Sequence, residues 1–253
     1  MVLFLVLCAA PAPQPYDARV DEAQQLRRSG RREEAEKLVD LVARESKQKR
    51  DAVSEGRALQ KLGDLRLDDG DCAGARKRYD AALRVLGHRD DIALAQVWND
   101  VGMWAKQCAD PGVQKKAFSQ ALALYTRLDF QKGVRLIANN LGSAHFVSGD
   151  VEGALPFFRR AEDAATKLGD DEALMTVKAN IALMELLLAQ RAAGHSCTGF
   201  SAAEKKSAGF QRARTAFSEA AEIARRAGGT SLSVCAKFGA EHSPLCEPCL
   251  VAP

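Results

Sequence analysis

The feature that most restricts the folds open to this chain is a motif that returns at an interval of about 40 residues. Apolar-then-small pairs stand at Leu62-Gly63, Val101-Gly102, Leu141-Gly142 and Ile181-Ala182. After each comes a small residue, a bulky one four positions on, and a small one three beyond that. These trios are Ala75, Tyr79, Ala82; Gln114, Phe118, Ala121; Ala154, Phe158, Ala161; and Ala213, Phe217, Ala220. A weaker copy, Ala35, Val39, Val42, precedes them. Steps of four and three residues share one face of an α-helix, whereas a strand would need steps of two.

The pattern implies a particular kind of packing. A small residue on each helix lets two backbones approach in an antiparallel pair, and the bulky residue fills the space toward the next pair. No single pair can bury its apolar face, so several must stack before any is stable. Polar turns fall where the pairs should fold back: Ser29-Gly30, Asp69-Gly70-Asp71, Asp110-Pro111-Gly112 and Ser148-Gly149-Asp150. Leu168-Gly169-Asp170 reads as a helix stopped by Gly with Asp ready to cap the next, and Leu86-Gly87-His88 is similar. Composition agrees with helices: 47% of the 253 residues are hydrophobic but only 6% aromatic, too apolar for a disordered chain. The net charge of +3, from 36 basic and 33 acidic side chains, supplies no field for nucleic acid.

At these positions the sequence resembles the tetratricopeptide repeat (TPR) family. The family's aromatic or apolar residue, Leu-Gly pair and Ala, Phe, Ala trio are matched by Trp98, Val101-Gly102, Phe118 and Ala121. Leu141-Gly142, Ala154, Phe158 and Ala161 match again. The longer interval is similar to the variety found in kinesin light chains and G-protein-signalling modulators. Gln114 and Glu22 depart from the pattern. The resemblance implies an all-α, right-handed superhelical solenoid of antiparallel helix pairs spanning residues 16–242. Copies would start near residues 16, 56, 95, 135 and 175, with a closing helix near 231. Residues 191–206 interrupt the fifth copy as an insertion, which adds little closure entropy to a surface turn.

The two ends read differently. Residues 1–15 begin with an apolar run, VLFLVLCAA, followed by the spacer PAPQP. That run is too short to span a membrane as a helix and suits a secretory signal, or a lipoprotein signal with Cys8 as the lipidated residue. Export, periplasmic or outer-membrane associated, is therefore expected, with a cytoplasmic location as the alternative. A membrane tether would run only through this N-terminus. Residues 243–253 form a Cys-rich tail. Beyond Cys8, six cysteines remain (Cys72, Cys108, Cys197, Cys235, Cys246 and Cys249), an even number that suits disulfides in an oxidising compartment. Cys72 and Cys108 fall in the turns of adjacent copies and could pair. Cys235, His242, Cys246 and Cys249 could instead form a zinc set, and Cys197, Cys235, Cys246 and Cys249 a redox- or metal-responsive module.

No catalytic signature is present: no G-x-G-x-x-G, Walker lysine, H-E-x-x-H or G-x-S-x-G. No cofactor or metal is expected, and His145 reads as a packing residue. The expected activity is non-catalytic capture of a peptide or partner protein, and a lipid-anchored outer-membrane assembly factor is a narrower version of it. In the family this chain resembles, the first helices line a concave groove. By phase that groove would be lined by Gln60, Asp64, Leu67, Gln96, Asn99, Met103 and Lys106. The later copies would add Asn139, Asn140, Ser143, Thr176, Asn180 and Leu183. Asparagine both donates and accepts, so the row Asn99, Asn139, Asn140 and Asn180 could hold a ligand main chain, or could simply bond neighbouring helices together. The cluster Arg27, Arg28, Arg31 and Arg32 is followed by Glu33 and Glu34, so a self-neutralised turn is expected rather than an anion site.

Overall fold

Aspartates spaced at about half the repeat interval decide where most helices begin. In the computed structural model, which describes residues 17–87, 89 and 91–228, Asp51, Asp71, Asp91, Asp110, Asp150 and Asp170 are N-caps. The side chain of each accepts a hydrogen bond from the backbone N–H three residues on. A short carboxylate there satisfies one of the orphan amides of the first turn and lies favourably at the positive end of the helix. Position 130, where the next member of the series would fall, is Phe.

The described residues form ten α-helices and no strand. The helices are α1 (Arg19–Arg28), α2 (Arg32–Lys49), α3 (Ala52–Asp68), α4 (Cys72–Leu86), α5 (Ile92–Gln107) and α6 (Pro111–Arg127). They continue as α7 (Gln131–Val147), α8 (Val151–Leu168), α9 (Asp171–Ala193) and α10 (Ala208–Arg226). Contacts divide them into two compact units, α1–α6 through Phe130 and α7–α10 from Gln131. Within each unit every helix packs on the next in sequence, and in the first unit α1, α3 and α5 also touch in succession. Each odd-numbered helix and its successor form one hairpin, the architecture of TPR-like repeats.

The small residue of each apolar-small pair sits under a ring. A Cβ built on Gly63 would lie 2.6 Å from Tyr79, one on Gly102 would lie 2.4 Å from Phe118, and one on Gly142 would lie 2.7 Å from Phe158. Real side chains do not come that close, so only glycine admits these aromatics between the helices of a pair. Tyr79, Phe118 and Phe158 are at most 2% exposed, as are Ala75, Ala82, Ala121, Ala154 and Ala161 beside them. Burying each ring contributes about 2–3 kcal/mol.

The turns within hairpins place Gly30, Gly70 and Gly149 at positive φ, where glycine carries no Cβ penalty. In the third hairpin the same place holds Ala109 at φ 58°. The insertion differs from expectation in extent. α9 continues through Arg191 to Ala193 before Gly194 ends it in the left-handed conformation, so the irregular stretch begins three residues later. It is packed rather than loose: Cys197 is 0% exposed, and the Phe200 ring lies 5.5 Å from that of Phe210 on α10. Glu204 ties it internally, accepting from the Ser201 amide at 2.7 Å and meeting His195 Nε2 at 3.1 Å. Residues 1–15, the closing helix near 231 and the tail 243–253 lie outside the described residues.

The ring-over-glycine packing makes a direct prediction. Gly→Ala inside a helix ordinarily stabilises it by about 1 kcal/mol. Gly142→Ala is expected to destabilise this chain by about 1–3 kcal/mol in urea unfolding through overpacking, with part of the loss recovered when Phe158→Leu makes room.

Candidate functional site

In the first unit, the first helices of adjacent hairpins are joined by polar side chains about one repeat apart. Gln60 Nε2 on α3 donates to Asp100 Oδ2 on α5, and Asn99 Nδ2 donates to the other Asp100 oxygen at 2.9 Å. Arg57 donates to Gln96 Oε1, and Gln107 Nε2 reaches back to the Leu67 carbonyl at 3.1 Å. Beside them Asp64 accepts from the Tyr79 hydroxyl at 3.0 Å and from Lys61 Nζ at 2.7 Å, with Arg27 Nη1 of α1 at 3.8 Å.

This setting changes the protonation of its members. Burial first, and then the nearby Asp64 charge, push the Asp100 carboxyl up to about 6, while Lys61 and the two donated hydrogen bonds work in the other direction. Burial and the same two carboxylates raise the Tyr79 phenol, which keeps its proton and serves Asp64 as a donor.

These contacts correct part of the expected groove. Gln60 and Asp64, placed there by phase, are 3% and 9% exposed and point into the interhelix network instead of toward a ligand. Gln96 and Asn99 are engaged in the same network. In the second unit Asn180 Nδ2 donates to Asn139 Oδ1 at 3.0 Å, so α9 and α7 are bonded to each other through this pair. The Ser143 hydroxyl turns back onto the Asn139 carbonyl at 3.0 Å. What faces outward is Met103, 41% exposed, with Lys106 on α5, and the half-buried Asn140 on α7. Leu67, Thr176 and Leu183 are half-buried.

α7 carries a further exposed row that phase alone does not single out. Leu136 is 43% exposed, Phe146 37% and Val147 82%, along the side that also holds Asn140 and Ser143. They stand 40 positions after Gln96, Lys106 and Gln107 of α5, so polar positions in one hairpin are apolar in the next.

Ion pairs on the other elements are structural. Glu185 on α9, 1% exposed, meets Arg159 of α8 at 2.8 Å and Arg212 of α10 at 2.9 Å. Earlier on the same helix Lys178 reverses the polarity, donating to Glu162 of α8 and Glu219 of α10 at 2.6 Å each. The Arg cluster of the first hairpin is neutralised chiefly across the repeat: Arg27 pairs with Asp68, Arg32 with Asp69, and Arg31 with its neighbour Glu34. His145 Nδ1 lies 2.7 Å from Asp150 and its ring stacks at 5.0 Å on Phe157, a packing role.

The Sγ atoms of Cys72 and Cys108 are bonded, with Cα atoms 6.1 Å apart, within the range that disulfides require. The bond ties the start of α4 to the end of α5, where the Trp104 indole also donates to the Cys72 carbonyl at 2.8 Å. Cys197 is disulfide-bonded as well. Cys8, Cys235, His242, Cys246 and Cys249 lie outside the described residues. Among the described residues no group of three or more His, Cys, Asp or Glu converges as a metal site, and no helix is long and apolar enough to cross a membrane.

Comparisons with known proteins agree with this architecture. No protein-family model matches the sequence, and no curated protein matches it. Among solved structures, BtubC (BKLC) from P. vanneervenii superposes with a TM-score of 0.66 at 22% identity, over 82% of this chain and 78% of that one. A kinesin light chain-type protein of Podosopora anserina, with nearly identical TPR-like repeats, gives a TM-score of 0.60 at 11% identity, over 83% of this chain and 95% of that one. A substituted form of the same Podosopora protein gives an equal score at 12% identity. The fold is therefore that of TPR-like repeat proteins.

Asp100 offers a test of the buried network. Its folded-state pKa lies above its unfolded value, so the stability it contributes is present below the ordinary carboxylate range and lost as pH rises through about 6. Asp100→Asn, which cannot ionise, is expected to flatten this dependence between about pH 4 and 6, read by urea unfolding across pH.

Proposed function

We propose that this chain is a non-catalytic protein-interaction module that holds an extended or helical segment of a partner against its first helices, with α7 as the principal contact. The observation that supports this is the exposed row of Leu136, Phe146 and Val147 beside the half-buried Asn140. Large apolar side chains exposed along one side of a helix, with polar groups between them, suit a surface that a partner covers. Asn140 adds an amide able to donate to and accept from a partner main chain. Met103 and Lys106 give α5 a smaller surface of the same kind in the first unit.

The test is capture of partners from the native host with the full chain as bait. Replacing Leu136→Ser and Val147→Ser together is expected to remove the captured partner while leaving helicity and urea unfolding close to the parent's, because both side chains are already exposed. Equal capture by parent and variant would refute the reading.

The site of action belongs to the same proposal. The Cys72–Cys108 bond supports an oxidising compartment outside a reducing cytoplasm, as export of the chain would require. The bond closes a loop with a sequence separation of 36. Breaking it by Cys72→Ser with Cys108→Ser should lower stability by about 2–4 kcal/mol. Thiol counting on the protein purified without reductant checks the premise directly: free thiols at both positions would remove this support for export.

A further inference from the structure

A cleft of about 800 Å³ opens between the end of α4, the start of α5 and the length of α6, away from the network that joins α3 to α5. Its lining carries four cations: Arg84 on α4, Arg89 in the following turn, and Lys116 and Arg127 on α6. No acidic side chain lines it among the described residues. Elsewhere in this unit Arg27, Arg32 and Arg76 are matched by carboxylates, those of Asp68, Asp69 and Asp80. Here Arg89 pairs with Asp91 at 2.6 Å, whereas Arg84 and Lys116 have no ion-pair partner among the described residues. Trp98, Leu83 and Leu124 add apolar side chains to the same lining. In a chain of net charge +3, one cleft therefore gathers like charges and an indole.

Like charges set close together raise one another's electrostatic energy, and an anionic occupant relieves that cost while gaining attraction from all of them. The occupant must also cover the apolar side chains of the lining. We propose that this cleft is a second recognition site, which takes an acidic protein segment bearing one large apolar side chain. The acidic groups pair with Arg84 and Lys116 at the rim, and the apolar side chain packs on Trp98. A nucleic acid fits less well. Single strands need successive aromatic platforms for their bases and a cationic track for their backbone, whereas this cleft has one indole among aliphatic side chains. The site shares no residue with the exposed row of α7, and so stands or falls apart from the function proposed above.

Three fluorescent probes test it against the full chain by anisotropy: a short peptide of glutamates around one phenylalanine, the same peptide with glutamine for glutamate, and a single-stranded oligonucleotide. The glutamate peptide is expected to bind at least about tenfold more tightly than the glutamine peptide, and to weaken as salt screens the rim. Arg84→Glu with Lys116→Glu should cost a further loss of about tenfold or more, while Leu136→Ser with Val147→Ser should leave this binding unchanged. Both cations are exposed, so the folded state should tolerate their replacement. If circular dichroism shows lost helicity, Arg84→Gln with Lys116→Gln takes their place in the same assay. The proposal is overturned by no binding, by equal binding of the two peptides, or by binding indifferent to the Arg84 and Lys116 variants. Tighter binding of the oligonucleotide than of the glutamate peptide would overturn it too.

Discussion

In three successive hairpins the helices are held together by an aromatic ring seated over a glycine. Tyr79 on Gly63, Phe118 on Gly102 and Phe158 on Gly142 bring the two helices of a hairpin so close that a methyl group in place of the glycine hydrogen would overlap the ring. Glycine in a helix costs about 1 kcal/mol relative to alanine, so its recurrence at these positions is explained by the packing it permits. The fully buried alanines that flank each ring do the same for the neighbouring contact. With hairpin geometry set locally, each copy presents nearly the same surface to the next, and stacking follows from repetition.

A second set of interactions binds one hairpin to the next, and it is polar. Gln60 to Asp100, Arg57 to Gln96 and Asn180 to Asn139 each join residues 39 to 41 positions apart. Such bonds are directional where apolar contact is not, and they hold adjacent helices in register at the level of individual side chains. They also come with a cost, visible at Asp100, whose carboxyl is driven toward its neutral form by burial and by Asp64. The outward row of α7 and the lining of the cleft between α4 and α6 lie at positions that these bonds do not use.

Much of the fold is legible in the sequence because its causes are local. The small and bulky spacing marks helix faces, and the Gly and Asp turns mark their ends. Of the six aspartate caps, Asp170 is read as one from the sequence, Asp71, Asp110 and Asp150 fall in the polar turns, and Asp51 and Asp91 come from the structure. Spacing ends α9 three residues too early, because Arg191, Ala192 and Ala193 are good helix formers that carry no stop signal, and Gly194 supplies it. The candidate site is less legible. Phase places Gln60, Asp64, Gln96 and Asn99 on one face of the first helices, but it does not show the bonds that engage these side chains in the network between helices. Glu185 and its two arginines give no warning, since Arg159 and Arg212 come from different helices and share no interval with it.

The sequence by itself determined that this chain is helical and that its helices come in pairs, whereas it pointed each bulky residue toward the next pair and the structure seats it on a glycine of its own pair. Helicity and pairing are outcomes of spacing within about 20 residues, over which helix geometry relates position to direction. Only the tertiary structure decided which polar side chains are consumed between hairpins and which remain exposed. Helical phase names a face, whereas the partner of that face depends on how the next copy is placed against it. The same reason separates Asn139, spent on Asn180, from Asn140 one residue later, which is half-buried beside the exposed row.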